Sequence, residues 1–221
     1  CNLRTGVSAS THSQEQLKLK IGKELEQYRN YRNIKAPLNE KHRCWRLEYA
    51  DTLNFHMDIV PSIPENETRR KALALAMENY GMDRSLATSV SEFALGITDD
   101  RLPEYKKLNS EWMISNPEGY AKWFESKMVT TSLNRYTIEA AQVDDIPTYK
   151  KKLPLQKVIQ LLKRHRDQMF ANAPDSKPIS VIITTLAAQS YSGSPLIEGC
   201  LREVLNGLNK FVISNSWEVP N

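Results

Sequence analysis

The chain has 221 residues, 40% of them hydrophobic and 25% charged, with a formal net charge of +4. That balance belongs to a folded globular protein and excludes a disordered chain, and the length allows one large domain or two small ones sharing an interface. The mild positive charge is compatible with a polyanionic ligand but selects no partner class. No apolar run approaches the roughly 20 residues of a membrane-spanning helix, and no signal peptide is visible.

Cys1, Cys44 and Cys200 are far apart and show neither a CxxC pair nor a zinc-type Cys/His spacing. Reduced thiols in a cytoplasmic protein are the expectation. The chain opens on Cys1 rather than Met and closes on Val219-Pro220-Asn221 without a visible helix end. Both ends read as cuts inside a longer protein, although trimming alone would explain Cys1 equally well.

Ser13, with Gln16 three residues on, forms a capping box, and Leu17, Ile21, Leu25 and Tyr28 follow at helical spacing. These predict an amphipathic helix over about 13–33, ended before Pro37. From Arg43 the period changes to two: Trp45, Leu47 and Tyr49 alternate with Arg46 and Glu48, the pattern of a half-buried strand. Asp51–Asn54 reads as a turn, and a second strand runs from Phe55 to Val60, stopped by Pro61. The two strands are expected to pair as a hairpin.

Residues 61–70 and about 98–119 read as irregular, the latter broken by Pro103 and Pro117. Ala121, Phe124 and Met128 open a helical region that is clearest at 154–170, where Pro154 sits early and Val158, Leu161, Leu162 and Met169 share one side. Further helices are predicted at about 178–191 and 195–212. A strand-containing front half and a helical back half make the fold class α+β.

Alternation on the second strand sends Phe55, Met57 and Ile59 to one face, toward a core, and His56 and Asp58 to the other. A lone carboxylate in an apolar strand needs a cation or hydrogen bonds to offset its desolvation. Spacing alone leaves open whether Asp58 is a functional ligand or a strand-end Asp bonded to backbone or water.

The wording of four segments goes further. Cys44-Trp45-Arg46-Leu47-Glu48-Tyr49, Phe55-His56-Met57-Asp58-Ile59-Val60-Pro61, Ser115-Asn116-Pro117-Glu118-Gly119-Tyr120-Ala121-Lys122-Trp123-Phe124, and Leu162-Lys163-Arg164-His165-Arg166-Asp167 followed by Lys177–Ala188 occur in that order. Together they resemble the cyclic GMP–AMP synthase/DncV-like nucleotidyltransferases, the CD-NTases. The resemblance implies a polymerase-β-like mixed sheet, incomplete at its N-terminus, packed on a C-terminal helical domain. Residues 1–117 would be a partial palm domain and 118–221 the helical domain, with nucleotides bound between them.

In that family two Mg²⁺ (or Mn²⁺) ions stabilise the attacking and leaving oxygens, and hard divalent cations favour carboxylate oxygens. By resemblance Asp58 matches the third metal-binding aspartate. The other two belong to a D-x-D strand after a Gly-Ser turn, and no such strand precedes Asp58: Gly193-Ser194 is followed by Pro195, and Asp99-Asp100 and Asp144-Asp145 come later. Cys1-Asn2-Leu3 resembles the residues just beyond that strand, so the missing pair is expected upstream of Cys1 and the chain as given is expected to be inactive.

Lys163 and Arg166 are three apart on one helix face, which charge alone would leave as a solvated basic surface. The resemblance matches Lys163 to a lysine on the donor triphosphate and Ser180, at the next helix start, to a second phosphate contact. A helix N-terminus suits an anion. His165 falls near the apolar face and is expected to be partly buried. His56 either orders Asp58 or packs. Ser115, Asn116 and Tyr120 either start a helix or contact nucleotide, and Tyr49, Trp112 and Trp123 either stack on a base or fill the core.

The resemblance thus implies an enzyme that joins nucleoside triphosphates (ATP, GTP or others) into a cyclic di- or trinucleotide. A separate effector would read that messenger in bacterial antiphage (CBASS) signalling. Neither a membrane nor a nucleic-acid partner is expected. Two rival readings stand beside it: a non-catalytic nucleotide-binding module, and an RNA-modifying nucleotidyltransferase of related fold.

Overall fold

The computed structural model describes residues 7–50, 55–108, 111–128 and 152–213. Cys1 to Leu3, the turn at Asp51–Asn54 and the Asp144-Asp145 pair lie outside the described residues. The chain divides into two compact units, residues 1–120 and 121–221.

The first unit opens with helix α1, Gln14–Tyr31. Its predicted capping box is present: Gln16 N–H donates to Ser13 Oγ at 3.2 Å, and Ser13 N–H donates to Gln16 Oε1 at 2.9 Å. Strands β1 (Asn39–Glu40), β2 (Trp45–Ala50) and β3 (Phe55–Ile59) form an antiparallel sheet in chain order. The β2–β3 hairpin pairs Trp45 with Ile59, Arg46 with Asp58, Leu47 with Met57 and Glu48 with His56, and an irregularity between Glu48 and Ala50 shifts the register near the turn.

Helix α1 lies against β2 through Gly22, where an added Cβ would stand 2.5 Å from Cζ2 of Trp45. The indole N–H of Trp45 donates to the Lys18 carbonyl at 2.9 Å, locking the helix to the strand. Leu47 is buried, while Leu17, Ile63 and Trp112 form a core cluster with Ile21 and Val7 packed on it.

The strand β3 departs from expectation. Phe55 is 54% and Met57 44% exposed while Ile59 is half-buried, so most of the side predicted to enter a core is open to solvent. Alternation decides only which side chains share a face; a face is buried when another layer covers it. Among the described residues, β3 is an edge strand bonded to β2 alone.

The stretch read as irregular at 61–70 contains β4 (Ser62–Pro64) and the start of α2 (Glu67–Asn79). That at 98–119 contains β6 (Met113–Ser115), and β5 (Leu95–Ile97) precedes it. These three short strands form a second antiparallel sheet, β4–β5–β6. Segments of three residues show too little alternation to stand out from loop. Helix α2 buries only Ala74, so its pattern carries no apolar stripe, and it is started instead by Asn66, whose Oδ1 accepts from Arg69 N–H at 2.9 Å. Helix α3 (Arg84–Ser91) begins the same way, with Asp83 accepting from the N–H groups of Ser85 and Leu86.

Helix α4 (Pro117–Met128) leads into the second unit, where α5 (Pro154–Met169), α6 (Ser180–Ser190) and α7 (Ile197–Ile213) match the predicted helices. Its core joins Met128, Leu155, Val158, Ile159, Ala187, Ala188, Tyr191, Cys200 and Val204. The buried stripe of α5 is therefore Leu155, Val158 and Ile159, with Leu162 packed beside it; Leu161 and Met169, assigned to the same side, are 52% and 66% exposed. His165, expected to be partly buried, is exposed. The contact face is set by where α6 and α7 lie, and it reaches only the first three turns of α5. Among the described residues no helix is long and apolar enough to cross a membrane.

Candidate functional site

Asp58 projects from β3 directly opposite Arg46 on β2. Arg46 Nε donates to Oδ1 at 2.8 Å and Nη2 to Oδ2 at 3.0 Å, a two-pronged pair that occupies both carboxylate oxygens. This bonding from Arg46 holds the Asp58 carboxyl below its ordinary range, His56 and Lys41 adding to the effect, so Asp58 is ionised at neutral pH. Its side chain is 40% exposed, which leaves lone pairs open on a solvent-facing surface. His56 is also exposed and stands across from Glu48.

Sequence reading passed over Arg46 as a partner. The signal was available: once the hairpin pairs Trp45 with Ile59, the next rung sets an arginine against an aspartate.

A two-metal centre needs several oxygen ligands on each ion. Among the described residues no group of three or more His, Cys, Asp and Glu comes together, and Asp58 is held by an arginine. These residues do not by themselves fit such a centre, and no step through a metal is assigned to them.

Lys163 and Ser180 occupy the second unit. Ser180 is the first residue of α6, whose N-cap, Ile179, offers no side-chain hydrogen bond. The first-turn N–H groups of α6 thus lack a side-chain cap at a partly positive helix end. Lys163 is half-buried on α5, and burial first, then the nearby Arg166 charge, push its ammonium below the ordinary lysine range. Arg166 lies one turn on from Lys163 and donates from Nη1 to Ser180 Oγ at 3.0 Å. The structure thus joins the two helix faces through a residue that sequence reading left as a neighbour of Lys163.

Several other candidates have structural partners. Asn116 starts α4: its Oδ1 accepts from Gly119 N–H at 2.9 Å and its Nδ2 donates to the Val90 carbonyl at 2.7 Å. Trp112 is 1% exposed in the first core, and Trp123 packs against the second. Tyr49 is half-buried, and its hydroxyl donates to that of Tyr28 at 3.3 Å. Cys44 and Cys200 are free thiols, and burial pushes Cys200 up to about 11.

No family profile matches the chain. It is 31% identical over 207 residues to a c-di-GMP synthase of Roseivirga ehrenbergii; the match covers 91% of this chain and 46% of that protein. The chain thus spans about half the length of the curated relative it matches. Its fold is similar to that of the CD-NTase CdnG of Bradyrhizobium diazoefficiens, solved in complex with GTP, with a TM-score of 0.54 at 19% identity over 90% of this chain and 54% of that one. At that identity the likeness speaks for the fold, and the α+β nucleotidyltransferase fold expected from the sequence is found, although among the described residues its two sheets are antiparallel rather than mixed.

Proposed function

Because the chain belongs to the CD-NTase family, we propose that the protein to which it belongs joins nucleoside triphosphates into a cyclic di- or trinucleotide and releases pyrophosphate. The likeness to a c-di-GMP synthase carries this reading, because it runs through both compact units rather than one motif. Residues 1–117 are read as part of a palm domain and 118–221 as the helical domain. Asp58 would be one carboxylate ligand of Mg²⁺ or Mn²⁺, sharing the ions with ligands beyond the described residues. Lys163 and Ser180 would hold the donor triphosphate, the ammonium by charge and the hydroxyl by donation to a phosphate oxygen. The cyclic product would be a cytoplasmic messenger, read by a separate effector in bacterial antiphage defence.

The test is incubation of the whole protein with labelled nucleoside triphosphates and Mg²⁺ or Mn²⁺. A phosphatase-resistant product is expected, and Asp58→Asn should lower its rate by at least about a hundredfold, because losing a direct ligand should cost no less than the most severe loss of a group that only supports one. Absence of a resistant product, or full activity in Asp58→Asn, would overturn the assignment.

For the 221-residue chain by itself, the Arg46–Asp58 pair favours a second reading. With its carboxylate neutralised by a neighbour and no acidic cluster among the described residues, the chain would bind a polyphosphate without performing chemistry. It is expected to yield no cyclic product when assayed alone.

A further inference from the structure

Ser180 is held by a neighbour whose own position is fixed from several directions. Arg166 donates from Nη1 both to the Pro178 carbonyl at 2.9 Å and to Ser180 Oγ at 3.0 Å. Its Nε and Nη2 bond Asp167 Oδ1 at 3.1 and 2.7 Å, and Lys177 reaches the same carboxylate at 3.3 Å. The guanidinium side chain is only 10% exposed, although it sits between surface residues. One planar group therefore ties α5 to Pro178, just ahead of α6, and to Ser180, its first residue.

The hydrogen-bond arithmetic then decides what Ser180 can offer. A guanidinium donates and never accepts, so the Ser180 oxygen is the acceptor in this contact. The hydroxyl has a single proton, and the bond from Arg166 leaves that proton free to donate elsewhere. Lys163, one turn earlier on the same face of α5, adds an ammonium to that side.

We infer that Arg166 is a positioning residue for the triphosphate: it fixes the Ser180 oxygen by donating to it and so turns the hydroxyl proton toward a phosphate oxygen. This rests on the reading that Lys163 and Ser180 take the donor triphosphate. It adds that Arg166 acts through Ser180 rather than on the phosphate itself.

A double-mutant cycle separates the two. Binding of inorganic triphosphate to the full chain is measured by calorimetry for the parent, Arg166→Ala, Ser180→Ala, the double variant and Lys163→Ala. Each single change at 166 or 180 should weaken binding about ten- to a hundredfold, the effect of one hydrogen bond to a charged group. In the Ser180→Ala background, Arg166→Ala should add less than about twofold, because the two residues form one unit. Multiplying effects, or an Arg166→Ala that binds as well as the parent, would overturn the positioning role.

Should Arg166→Ala unfold, as seen by circular dichroism, Arg166→Lys carries the same cycle. Its ammonium lacks the planar fork that holds Asp167 through Nε and Nη2 while Nη1 reaches Pro178 O and Ser180 Oγ, so it too should weaken binding and lose that effect beside Ser180→Ala; additivity there would again refute the role. A parent chain that does not bind triphosphate, or a Lys163→Ala variant that binds it as tightly as the parent, would remove the underlying reading, and this inference with it.

Discussion

An ionised carboxylate in a folded protein needs compensation, and Asp58 and Asp99 obtain it in different settings. Asp58 sits on an exposed strand with one arginine, where the pair contributes little to stability because solvent screens it. Asp99 is 1% exposed, accepting from Arg101 Nη2 at 2.6 Å, Arg101 Nε at 2.8 Å and Arg43 Nε at 2.7 Å. Those arginines, Arg101 foremost, hold its carboxyl far below the usual carboxylate range.

The consequence is a specific acid sensitivity. Above the unfolded aspartate pKa of about 4, both states are ionised and the stabilisation is fully present. As pH falls below that value, the unfolded chain takes up a proton that the folded one refuses. Stability then drops by up to about 1.4 kcal/mol per pH unit until the folded pKa is passed. Urea unfolding at pH 5 and pH 3 should therefore show a smaller pH loss in Asp99→Asn than in the parent, from a lower starting stability. Equal losses in both would show that this aspartate is not the group responsible.

At the scale of elements, periodicity located α1, β2, β3 and the helices of the second unit, because each is long enough to repeat its pattern. It did not reveal β4, β5 and β6, of three residues each, or α2, which buries only Ala74. Contact between elements was also hidden in small residues. Gly22 gives no apolar signal, yet it is where the Trp45 ring meets α1. Replacing Gly22 by Ala should gain about 1 kcal/mol of helix propensity. The new Cβ would stand 2.5 Å from a ring that is fixed by its bond to Lys18 O, and overpacking of that kind costs about 1–3 kcal/mol. The clash is expected to win, lowering the urea midpoint followed by tryptophan fluorescence; a raised midpoint would show that the ring can move aside.

At the scale of the whole first unit, one buried cation joins segments far apart in sequence. The Lys18 side chain is 0% exposed, and its Nζ donates to the carbonyls of Lys41 and His42 at 2.6 and 3.1 Å. The same atom pairs with Asp100 and Glu40, each at 3.1 Å. Lys18→Met would leave those acceptors facing an apolar chain. Removing one partner of a buried pair costs about 3–5 kcal/mol, and the partial exposure of Asp100 and Glu40 sets the expectation at the lower end, about 3 kcal/mol. Chemical denaturation checks this, and a loss under about 1 kcal/mol would mean that water replaces the ammonium.

The amino-acid order was sufficient for the capping box at Ser13, the hairpin that carries Asp58, the helical second unit and the family resemblance. Each depends on neighbours within a few residues or on a string of residue types. It left His165 near an apolar face and Met57 in a core, and the fold exposes both. Burial and pairing depend on which distant segment arrives at a given face. Only the tertiary structure brings residues 40–42 and 100 over Lys18, leaves β3 uncovered among the described residues, and sets Arg166 against Ser180 across two helices.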